Sequence, residues 1–423
     1  MAHGFPVFFE GRAGSHGLAG KRPAVALGRL PLYPGTDAAA ICAPAAQGGV
    51  MDSDRVREEF PVTAGPAFFN HAAVSPMPKR ACLAGQAVFE DRCLRASADY
   101  FKWLAAVADA RARAARLLGT TPDRLAFTGN TSHGLGLVAA GIDWRPGDRV
   151  AVTWPDFPTL RFPFDSLAGR GVTVVELPKR GGRLDLDAAR RLVPGCRLVA
   201  ASTVDWTTGV TLPAGDLAAL CREHGALFCL DAIQSFGALP TDVTALGADF
   251  LAAGCHKWQL GPMGLGIFYA SAAGDAALGP VMAGWRSMRD EENLGETYRP
   301  KEGAGRFESG TQDIAGISAL GASLSLFEEV GTGEVRDRIW AVADILAAGL
   351  ADRGLRLASP LTPSERSGIL AFEHPDAPGL FAHLNAARVA TSLRAGRIRL
   401  SPHFYNDASD AARFFKVLDG FGR

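Results

Sequence analysis

From about residue 105 onward, the chain alternates between segments with a helical period of apolar residues and short apolar runs. The helical period is clear over 103–119 and over 214–225, where Asp216 stands in the first turn and Gly225 marks the end. The apolar runs predict buried strands within 123–130, 148–157, 171–178, 196–206, 226–234 and 247–253. Apolar strands interleaved with helices are typical of a largely parallel sheet covered on both faces. Ligands of such sheets bind beyond the carboxyl ends of the strands.

The pattern changes after about residue 315. Two long helices are predicted near 316–330 and 334–353, followed by short strands and a final helix over 408–421. We therefore predict a large domain over 106–315 and a smaller α+β domain over 316–423, with 51–105 packing against the small domain. Residues 1–50 have no sustained period and are rich in Gly, Ala and Pro. They are predicted to be a disordered extension, or upstream sequence translated from a misplaced start.

The composition excludes several classes of function. The chain has 423 residues, of which 48% are hydrophobic, which is enough for a substantial core. Lys and Arg together number 44, as do Asp and Glu, so the excess of basic residues typical of nucleic-acid or anionic-membrane binders is missing. No apolar segment is long and uncharged enough to span a bilayer. The seven cysteines form no Cys-x-x-Cys pair, which favours reduced thiols and a cytoplasmic location. No metal site is predicted.

Lys257 stands in the stretch "AGCHKWQLGPMGLG" (253–266), which is otherwise almost uncharged and follows a buried strand. Burial of an unpaired ammonium is unfavourable by several kcal/mol, so this lysine either reaches the surface or serves as an amine. Asp231 ends the strand within 226–234, where an active-site acid would stand, although an Asp there is also a common turn residue. A buried amine can form a Schiff base with an aldehyde, and an acid can keep a pyridine nitrogen protonated. Together they predict pyridoxal 5'-phosphate (PLP) chemistry.

A phosphate group needs hydrogen-bond donors, and the turn "FTGNTSHGLGL" (127–137) offers the hydroxyls of Thr131 and Ser132 beside free backbone N–H groups. The turn is not a P-loop, and His133 is predicted to face solvent. Phe157 follows a strand end directly, where an aromatic ring can stack on a flat cofactor or simply pack under the loop.

The segment "LRAGRIRLSPHFYND" (393–407) carries three arginines. Arg399 alternates with the apolar Ile398 and Leu400, so its side chain points away from the face that they share. A planar guanidinium binds a carboxylate through two parallel hydrogen bonds, as recognition of an amino acid requires. Arg397 is better interpreted as a surface arginine in a salt bridge.

Five motifs, taken in order, resemble those of class V aminotransferase-fold enzymes, which are PLP-dependent proteins of fold type I. They are "FFNHAAVSP" (68–76), "LDAIQSFGALPTDV" (230–243), "CHKW" (255–258), "RFESGTQDIAGI" (306–317) and "RIRLSPHFYN" (397–406). The resemblance extends from residue 51 to the C-terminus and is strongest to the branch of cysteine desulfurases, selenocysteine lyases and isopenicillin N epimerase-like proteins. It implies an α/β fold with a mostly parallel seven-stranded sheet between helices, plus a smaller α+β domain.

Residue by residue, the resemblance implies that Lys257 forms the Schiff base with PLP and shuttles the proton at the substrate Cα. Asp231 would pair with the pyridine nitrogen, and Gln234 would hydrogen-bond the phenolic oxygen of the cofactor. The residues implied to hold the phosphate are Thr131, Ser132 and His256.

The resemblance also implies how substrate and subunits are arranged. Phe157 would stack on the cofactor ring, and Arg399 would bind the carboxylate of an amino-acid substrate, with Arg394 as a second contact. Thr311 matches the threonine that reaches the phosphate of a neighbouring subunit. A homodimer with active sites at the interface is therefore implied.

Three departures bear on the reaction. The desulfurases carry a cysteine on the loop before the final arginine strand, whereas the last cysteine here is Cys255. Persulfide-forming cysteine desulfuration is therefore not expected. Gly254 replaces a serine that would contact the phosphate, and Trp206 aligns with an asparagine beside the cofactor. The sequence predicts a PLP enzyme acting at the Cα or Cβ of an amino acid, as a lyase, epimerase or transaminase.

Three alternatives stay open at this point. One is a kynureninase-like hydrolase on the same fold, and another is a non-catalytic descendant that only binds PLP. A nucleotide-binding dehydrogenase is prompted by "GPMGLGIF" and "SHGLGL", but neither run has the Gly-x-Gly-x-x-Gly spacing between a strand and a helix.

Overall fold

The computed structural model describes residues 52–291 and 297–422. The extension predicted over 1–50 lies outside the described residues. The α-helices are α1 (Ser53–Glu58), α2 (Lys79–Arg95), α3 (Tyr100–Leu117), α4 (Thr131–Gly141), α5 (Phe162–Asp165), α6 (Leu186–Leu192), α7 (Ala214–Glu223), α8 (Ala272–Ala277), α9 (Ile314–Val330), α10 (Thr332–Ala351), α11 (Ala377–Ala386) and α12 (Ala408–Leu418). The strands are β1 (Ala67–Phe68), β2 (Leu125–Thr128), β3 (Arg149–Trp154), β4 (Thr173–Arg180), β5 (Arg183–Leu184), β6 (Leu198–Ser202), β7 (Leu227–Asp231), β8 (Phe250–Gly254), β9 (Gly266–Ala270), β10 (Leu370–Phe372), β11 (Val389–Ala390), β12 (Ser392–Arg394) and β13 (Arg397–Leu400).

The large sheet has the strand order β2-β9-β8-β7-β6-β3-β4-β5. Its central strands β8, β7, β6, β3 and β4 are parallel, and β9 runs antiparallel to both neighbours. The mostly parallel α/β sheet is as predicted, but it has eight strands instead of seven. The additional strand is β5, a two-residue strand that turns back on the edge strand β4 as a hairpin. A strand this short carries no period that a sequence could reveal.

Helices cover both faces of this sheet, which explains why its central strands are apolar throughout. Every residue of β8 is buried, as are the last four residues of β7. Helix α4 lies close against β8 because Gly134 has no side chain: a Cβ there would come within 2.7 Å of the Ala252 Cβ. The N-terminus of α4 is thereby brought to the carboxyl end of the sheet.

A second, three-stranded antiparallel sheet has the order β10-β13-β12. It shares a hydrophobic cluster with α10, α11 and α12, and this cluster includes Ala67 and Phe69 from the N-terminal segment. The two helices predicted near 316–330 and 334–353 are confirmed as α9 and α10. The domain boundaries at 105 and 315 remain a prediction.

Helix α9 packs against α2 and α3, and its buried residues belong to the hydrophobic core that also contains strands of the large sheet. Among residues 52–291 and 297–422, no single helix has both the length and the apolar composition to cross a bilayer; only α9 and α10 taken together do, as a pair bent by 83°.

Candidate active site

Polar and charged side chains converge at the carboxyl edge of the parallel strands. Asp156 follows β3, Asp205 follows β6, Asp231 ends β7 and Lys257 follows β8. Because β8, β7, β6 and β3 are neighbours in the sheet, residues separated by up to about a hundred positions meet at this edge. The site predicted from the strand ends therefore lies where the sheet topology brings those ends together.

Lys257 lies in the turn that leaves β8, and its Nζ is 5.9 Å from the centre of the Phe157 ring. The turn is closed by the Leu260 N–H, which donates to the Lys257 carbonyl at 3.0 Å, and Leu260 has a φ of +55°. Burial lowers the pKa of Lys257, and the cations Arg399 and Arg394 lower it further against the opposing effect of Asp231. These surroundings increase the fraction of neutral amine above that of an exposed lysine.

Asp231 is 3% exposed, and its Oδ1 accepts a hydrogen bond of 2.9 Å from the Ile233 N–H. Burial raises the pKa of Asp231, whereas the Ile233 hydrogen bond and the Lys257 charge lower it. A buried carboxylate of this kind is stabilised by a cationic partner. A protonated pyridine nitrogen would be such a partner.

Thr131 and Ser132 begin helix α4, as the phosphate assignment requires. Thr131 is buried, and its Oγ1 accepts from the Gly254 N–H at 2.9 Å, which ties the helix to the end of β8. The Ser132 hydroxyl lies 2.9 Å from the Thr159 hydroxyl. The first N–H groups of a helix have no partners within it, so this end suits an anion.

His133 is half-buried, not fully turned to solvent as the sequence suggested. Its Nδ1 accepts a hydrogen bond of 3.1 Å from the Gly129 N–H, which draws the ring back over the turn that precedes α4. Its own backbone N–H donates at 2.9 Å to the Asn130 side chain, which caps the helix. His133 therefore stabilises the start of α4.

Gly254 lies close to the His256 ring. A Cβ at Gly254 would lie 3.2 Å from two atoms of that ring. The serine expected from the resemblance would require the imidazole to shift by a few tenths of an ångström. Burial lowers the pKa of His256, with a smaller contribution from Lys257. Its imidazole is thus favoured in the neutral form, in which one ring N–H can still donate to a phosphate.

Gln234 is buried, and both ends of its amide have protein partners. Its Nε2 donates to the Ala72 carbonyl at 3.1 Å, and its Oε1 accepts from the Trp258 indole at 2.8 Å. One hydrogen of Nε2 is left for a further acceptor. The Trp258 side chain therefore fixes which way the Gln234 amide points.

Phe157 is 47% exposed and packs against Trp206. The two ring centres are 5.5 Å apart at an angle of 81°. Trp206, where the resemblance leads one to expect an asparagine, thus forms a T-shaped pair with the proposed stacking ring. The exposed part of Phe157 is available to a flat cofactor.

Arg399 is the most deeply buried of the three C-terminal arginines, at 1% exposure. Its Nη1 donates to the Trp206 carbonyl at 2.6 Å, whereas its Nε has no partner among the described residues. Burial and the nearby Arg394 lower the pKa of Arg399 to about 9. No carboxylate within residues 52–291 and 297–422 forms an ion pair with it. A buried guanidinium with a free N–H is prepared for an anionic ligand.

The other two arginines differ from Arg399. Arg397 pairs with Glu373 at 3.3 Å, in agreement with its interpretation as a salt-bridged residue. Arg394 is partly buried, and its Nη1 donates to the adjacent Leu393 carbonyl at 2.9 Å.

Thr311 lies on the surface just before helix α9. The neighbouring Gln312 has both polar atoms of its amide buried without a partner in the described part of the chain. Whatever ligand Thr311 serves, it contacts none of the other predicted site residues in the described ranges by a hydrogen bond.

Sequence reasoning missed a buried ion-pair network beside Phe157. The Lys179 Nζ donates to Asp156 at 2.7 Å and to Asp205 at 2.8 Å. Lys179 stands near the end of β4, and the only signal in the sequence was a lysine at the carboxyl end of an apolar strand. Its two partners follow different strands, so no local pattern joins the three residues.

These residues fit PLP. The N-terminus of α4 and the His256 ring can hold its phosphate, and the Phe157 ring can cover its face. Asp231 can pair with the pyridine nitrogen and Lys257 can offer the amine. The orphaned Nε of Arg399 leaves a donor for the carboxylate of an amino acid. Fold and site together define a PLP-dependent enzyme of fold type I.

Comparison with known proteins gives the family. The aminotransferase class-V model matches residues 67–409, and the chain belongs to that family. A probable cysteine desulfurase from Pyrococcus abyssi is 28% identical, over 86% of this chain and 96% of the relative. An isopenicillin N epimerase from Streptomyces clavuligerus is also 28% identical, over 73% of this chain and 83% of the relative.

Solved structures of the cystine C–S lyase C-DES have the same fold. Its complex with its reaction product, cysteine persulfide, aligns with a TM-score of 0.78 and 26% identity, over 85% of this chain and 99% of C-DES. A lysine-to-alanine variant of C-DES carries glycine covalently linked to PLP and aligns with a TM-score of 0.79 and 26% identity, over 86% of this chain and 99% of C-DES. These findings confirm the fold, the cofactor and the enzyme class predicted from the sequence.

The comparisons correct one prediction. The exclusion of persulfide-forming desulfuration is wrong, because the relatives include a probable cysteine desulfurase and C-DES yields cysteine persulfide. The exclusion assumed that sulfur must pass to a cysteine on the loop before Arg399. In the C-DES complex the persulfide is carried by cysteine, a small-molecule product, so the lack of a loop cysteine is no ground for excluding persulfide formation.

Proposed function

We propose that the chain is a PLP-dependent lyase that breaks the Cβ–S bond of a cysteine-type amino acid and yields sulfide or a persulfide. The proposal that the substrate is an amino acid rests on Arg399, a buried guanidinium whose Nε has no partner among the described residues. The choice of the Cβ–S bond is supported by the desulfurase relatives and by C-DES. In the present chain the loop before Arg399 has no cysteine to accept sulfur. Cystine, whose product itself carries the persulfide, is therefore the first substrate to test.

The chain's own residues supply orientation and proton transfer. Arg399 would bind the substrate carboxylate and thereby fix the orientation of the substrate in the site. The lowered pKa of Lys257 leaves its amine able to accept the Cα proton. When bound, PLP supplies an electron sink for the charge left at Cα. Asp231 would keep the pyridine nitrogen protonated, and the T-shaped contact with Trp206 holds the Phe157 ring in place.

The proposed reaction balances without an external oxidant or reductant. Cystine and one water give pyruvate, ammonia and cysteine persulfide; cysteine and one water give pyruvate, ammonia and hydrogen sulfide. The Cα–H and Cβ–S bonds break, the proton passes to Lys257, and sulfur leaves with the bonding electron pair. Water then releases ammonia from the remaining three-carbon fragment.

We also propose a cytoplasmic homodimer in which Thr311 of one subunit serves the site of the other. The exposure of Thr311 in the single chain supports this arrangement. Size-exclusion chromatography with light scattering tests it, and a monomeric holoenzyme with full activity would exclude it.

The reaction is tested with PLP-loaded protein and either L-cystine or L-cysteine. Pyruvate, ammonia, sulfide and persulfide are measured in the same sample. Equal amounts of pyruvate and released sulfur are expected, and Lys257→Ala should abolish both. Alanine in place of pyruvate would instead indicate transfer of sulfur without elimination.

The epimerase relative supplies a second candidate, and one further measurement separates the two. Exchange of the Cα hydrogen with deuterium from solvent, with inversion of the amino acid and no release of sulfur, would contradict the lyase and support epimerisation. The role of Arg399 in binding the substrate is tested with Arg399→Gln. Arg397→Gln is its matched control, since Arg397 lies on the same strand but pairs with Glu373.

A further inference from the structure

The network of Lys179, Asp156 and Asp205 lies beside Phe157 and is almost fully buried. The exposed fractions of the three side chains are 5%, 1% and 6% in that order. One ammonium therefore serves two carboxylates away from water. A buried carboxylate that loses its cation is strongly unfavourable, so the two acids depend on this lysine.

Asp156 connects the network to Phe157. The Phe157 backbone N–H donates to Asp156 Oδ1 at 2.7 Å, while Lys179 binds the other oxygen, Oδ2. Ser202 donates a further hydrogen bond of 3.0 Å to Oδ1. The position of the Phe157 backbone is thus set by a carboxylate that Lys179 holds.

Asp205 connects the same ammonium to Arg399. Its Oδ1 accepts from the backbone N–H groups of Thr207 at 3.0 Å and Thr208 at 2.9 Å, which fixes the turn that contains Trp206. The carbonyl of Trp206 accepts the hydrogen bond from Arg399 Nη1. The orientation of that guanidinium depends on a turn tied to Lys179 through Oδ2 of Asp205.

We propose that Lys179 is a positioning residue that joins the loop after β3 to the turn after β6, and so aligns the cofactor-covering ring of Phe157 with the carboxylate-binding Arg399. The inference rests on the proposed function for the roles of Phe157 and Arg399. Lys179 itself contacts neither cofactor nor substrate.

Lys179 acts to lower the pKa of both acids, but burial outweighs it at Asp156 and raises the pKa of that carboxyl. The Lys179 ammonium, with the Thr207 and Thr208 hydrogen bonds, lowers the pKa of Asp205 to about 2 although burial opposes it. The charge of Asp156 also reaches Asp231, where it acts to raise the pKa. Lys179 therefore limits the negative charge beside the acid that would face the pyridine nitrogen.

The test compares Lys179→Met, which keeps the length of the side chain without its charge, with Lys179→Arg, which keeps the charge. Two equilibrium constants are measured: the dissociation constant of PLP from the full-length apo-protein, and that of L-alanine from the PLP-loaded protein by the change in cofactor absorption. We expect Lys179→Met to weaken both on the order of tenfold, and Lys179→Arg to recover most of each loss. Unchanged constants in Lys179→Met would overturn the proposal.

Two single substitutions separate the two arms of the network. Asp156→Asn should weaken PLP binding more than L-alanine binding, and Asp205→Asn should do the reverse. These two variants test the proposal even if Lys179→Met does not fold. Equal effects of Asp156→Asn and Asp205→Asn on both dissociation constants would contradict it.

A control removes the effect of lost stability alone. Leu278→Ala creates a defect beside Ile142, at the end of α4 opposite the candidate site, and should lower the melting temperature without changing either constant. If it weakens L-alanine binding as much as Lys179→Met does, Lys179 has only a structural role. Because neither constant requires turnover, a wild-type protein that binds both ligands but releases no sulfur would refute the proposed reaction and leave this inference testable.

Discussion

Replacement of Arg399 by glutamine separates binding from stability, because the structure gives opposite expectations for the two. Arg399 is 1% exposed, and burial followed by the charge of Arg394 lowers its pKa to about 9. At about 1.36 kcal/mol per pKa unit, the charged form is disfavoured by about 5 kcal/mol. The hydrogen bond to the Trp206 carbonyl compensates about 1 kcal/mol of this. The Arg399→Gln apo-protein should therefore be no less stable than the wild type, as measured by urea unfolding.

The effect on substrate binding has the other sign. Hydrogen bonds between charged partners contribute about 1.5–3 kcal/mol each, so loss of the guanidinium should raise KM for L-cystine on the order of 10- to 100-fold. KM and kcat are measured from pyruvate release with PLP in excess. Arg397→Gln should leave KM unchanged, because the Arg397–Glu373 pair is about one-third exposed and such pairs contribute less than about 1 kcal/mol. A KM close to the wild-type value for Arg399→Gln, or a large loss of apo-protein stability, would refute the assignment.

Two further predictions concern the electrostatics of Lys257 and the placement of α4. Arg394 lowers the pKa of Lys257, so Arg394→Gln should raise that pKa. Because PLP reacts with the neutral amine, the acidic limb of the pH profile of PLP uptake by apo-protein should move to higher pH. An acidic limb that stays in place would exclude the coupling. Gly134→Ala should destabilise the protein by about 1–3 kcal/mol and weaken PLP binding, because its Cβ would meet Ala252 at 2.7 Å. A Cβ at Gly136, on the same helix, would have nothing within 4 Å, so Gly136→Ala should stabilise α4 by up to about 1 kcal/mol. Equal shifts of the melting temperature in the two variants would contradict this.

Elements that depend on a local run of several residues were predicted correctly, and an element without such a run was missed. The strand that ends at Asp231, the strand before Lys257 and the helix that begins at Thr131 each depend on a local run of residues, and the structure has all three. The eighth strand was missed because two residues of a hairpin have no period of their own.

The departures from the expected motifs needed the structure for their explanation. The sequence does not show what surrounds Gly254, whereas the structure places the His256 ring 3.2 Å from where a Cβ would stand. In the sequence Trp206 is only a departure from an expected asparagine, whereas in the structure its ring forms a T-shaped pair with Phe157 and its carbonyl accepts a hydrogen bond from Arg399. A backbone carbonyl has no signature in the sequence, because every residue carries one.

The sequence by itself determined the chemistry that the chain can offer: a lysine and an acid at strand ends, hydroxyls at a helix start and an arginine on a C-terminal strand. Those residues are recognisable because the cofactor imposes them at fixed places in local elements. Only the tertiary structure decided how they are aligned, through Lys179, Asp156 and Asp205, which come from three different parts of the large sheet. Hydrogen bonds and ion pairs of this kind depend on distance in space, and the order of parallel strands, not the order of the chain, sets that distance.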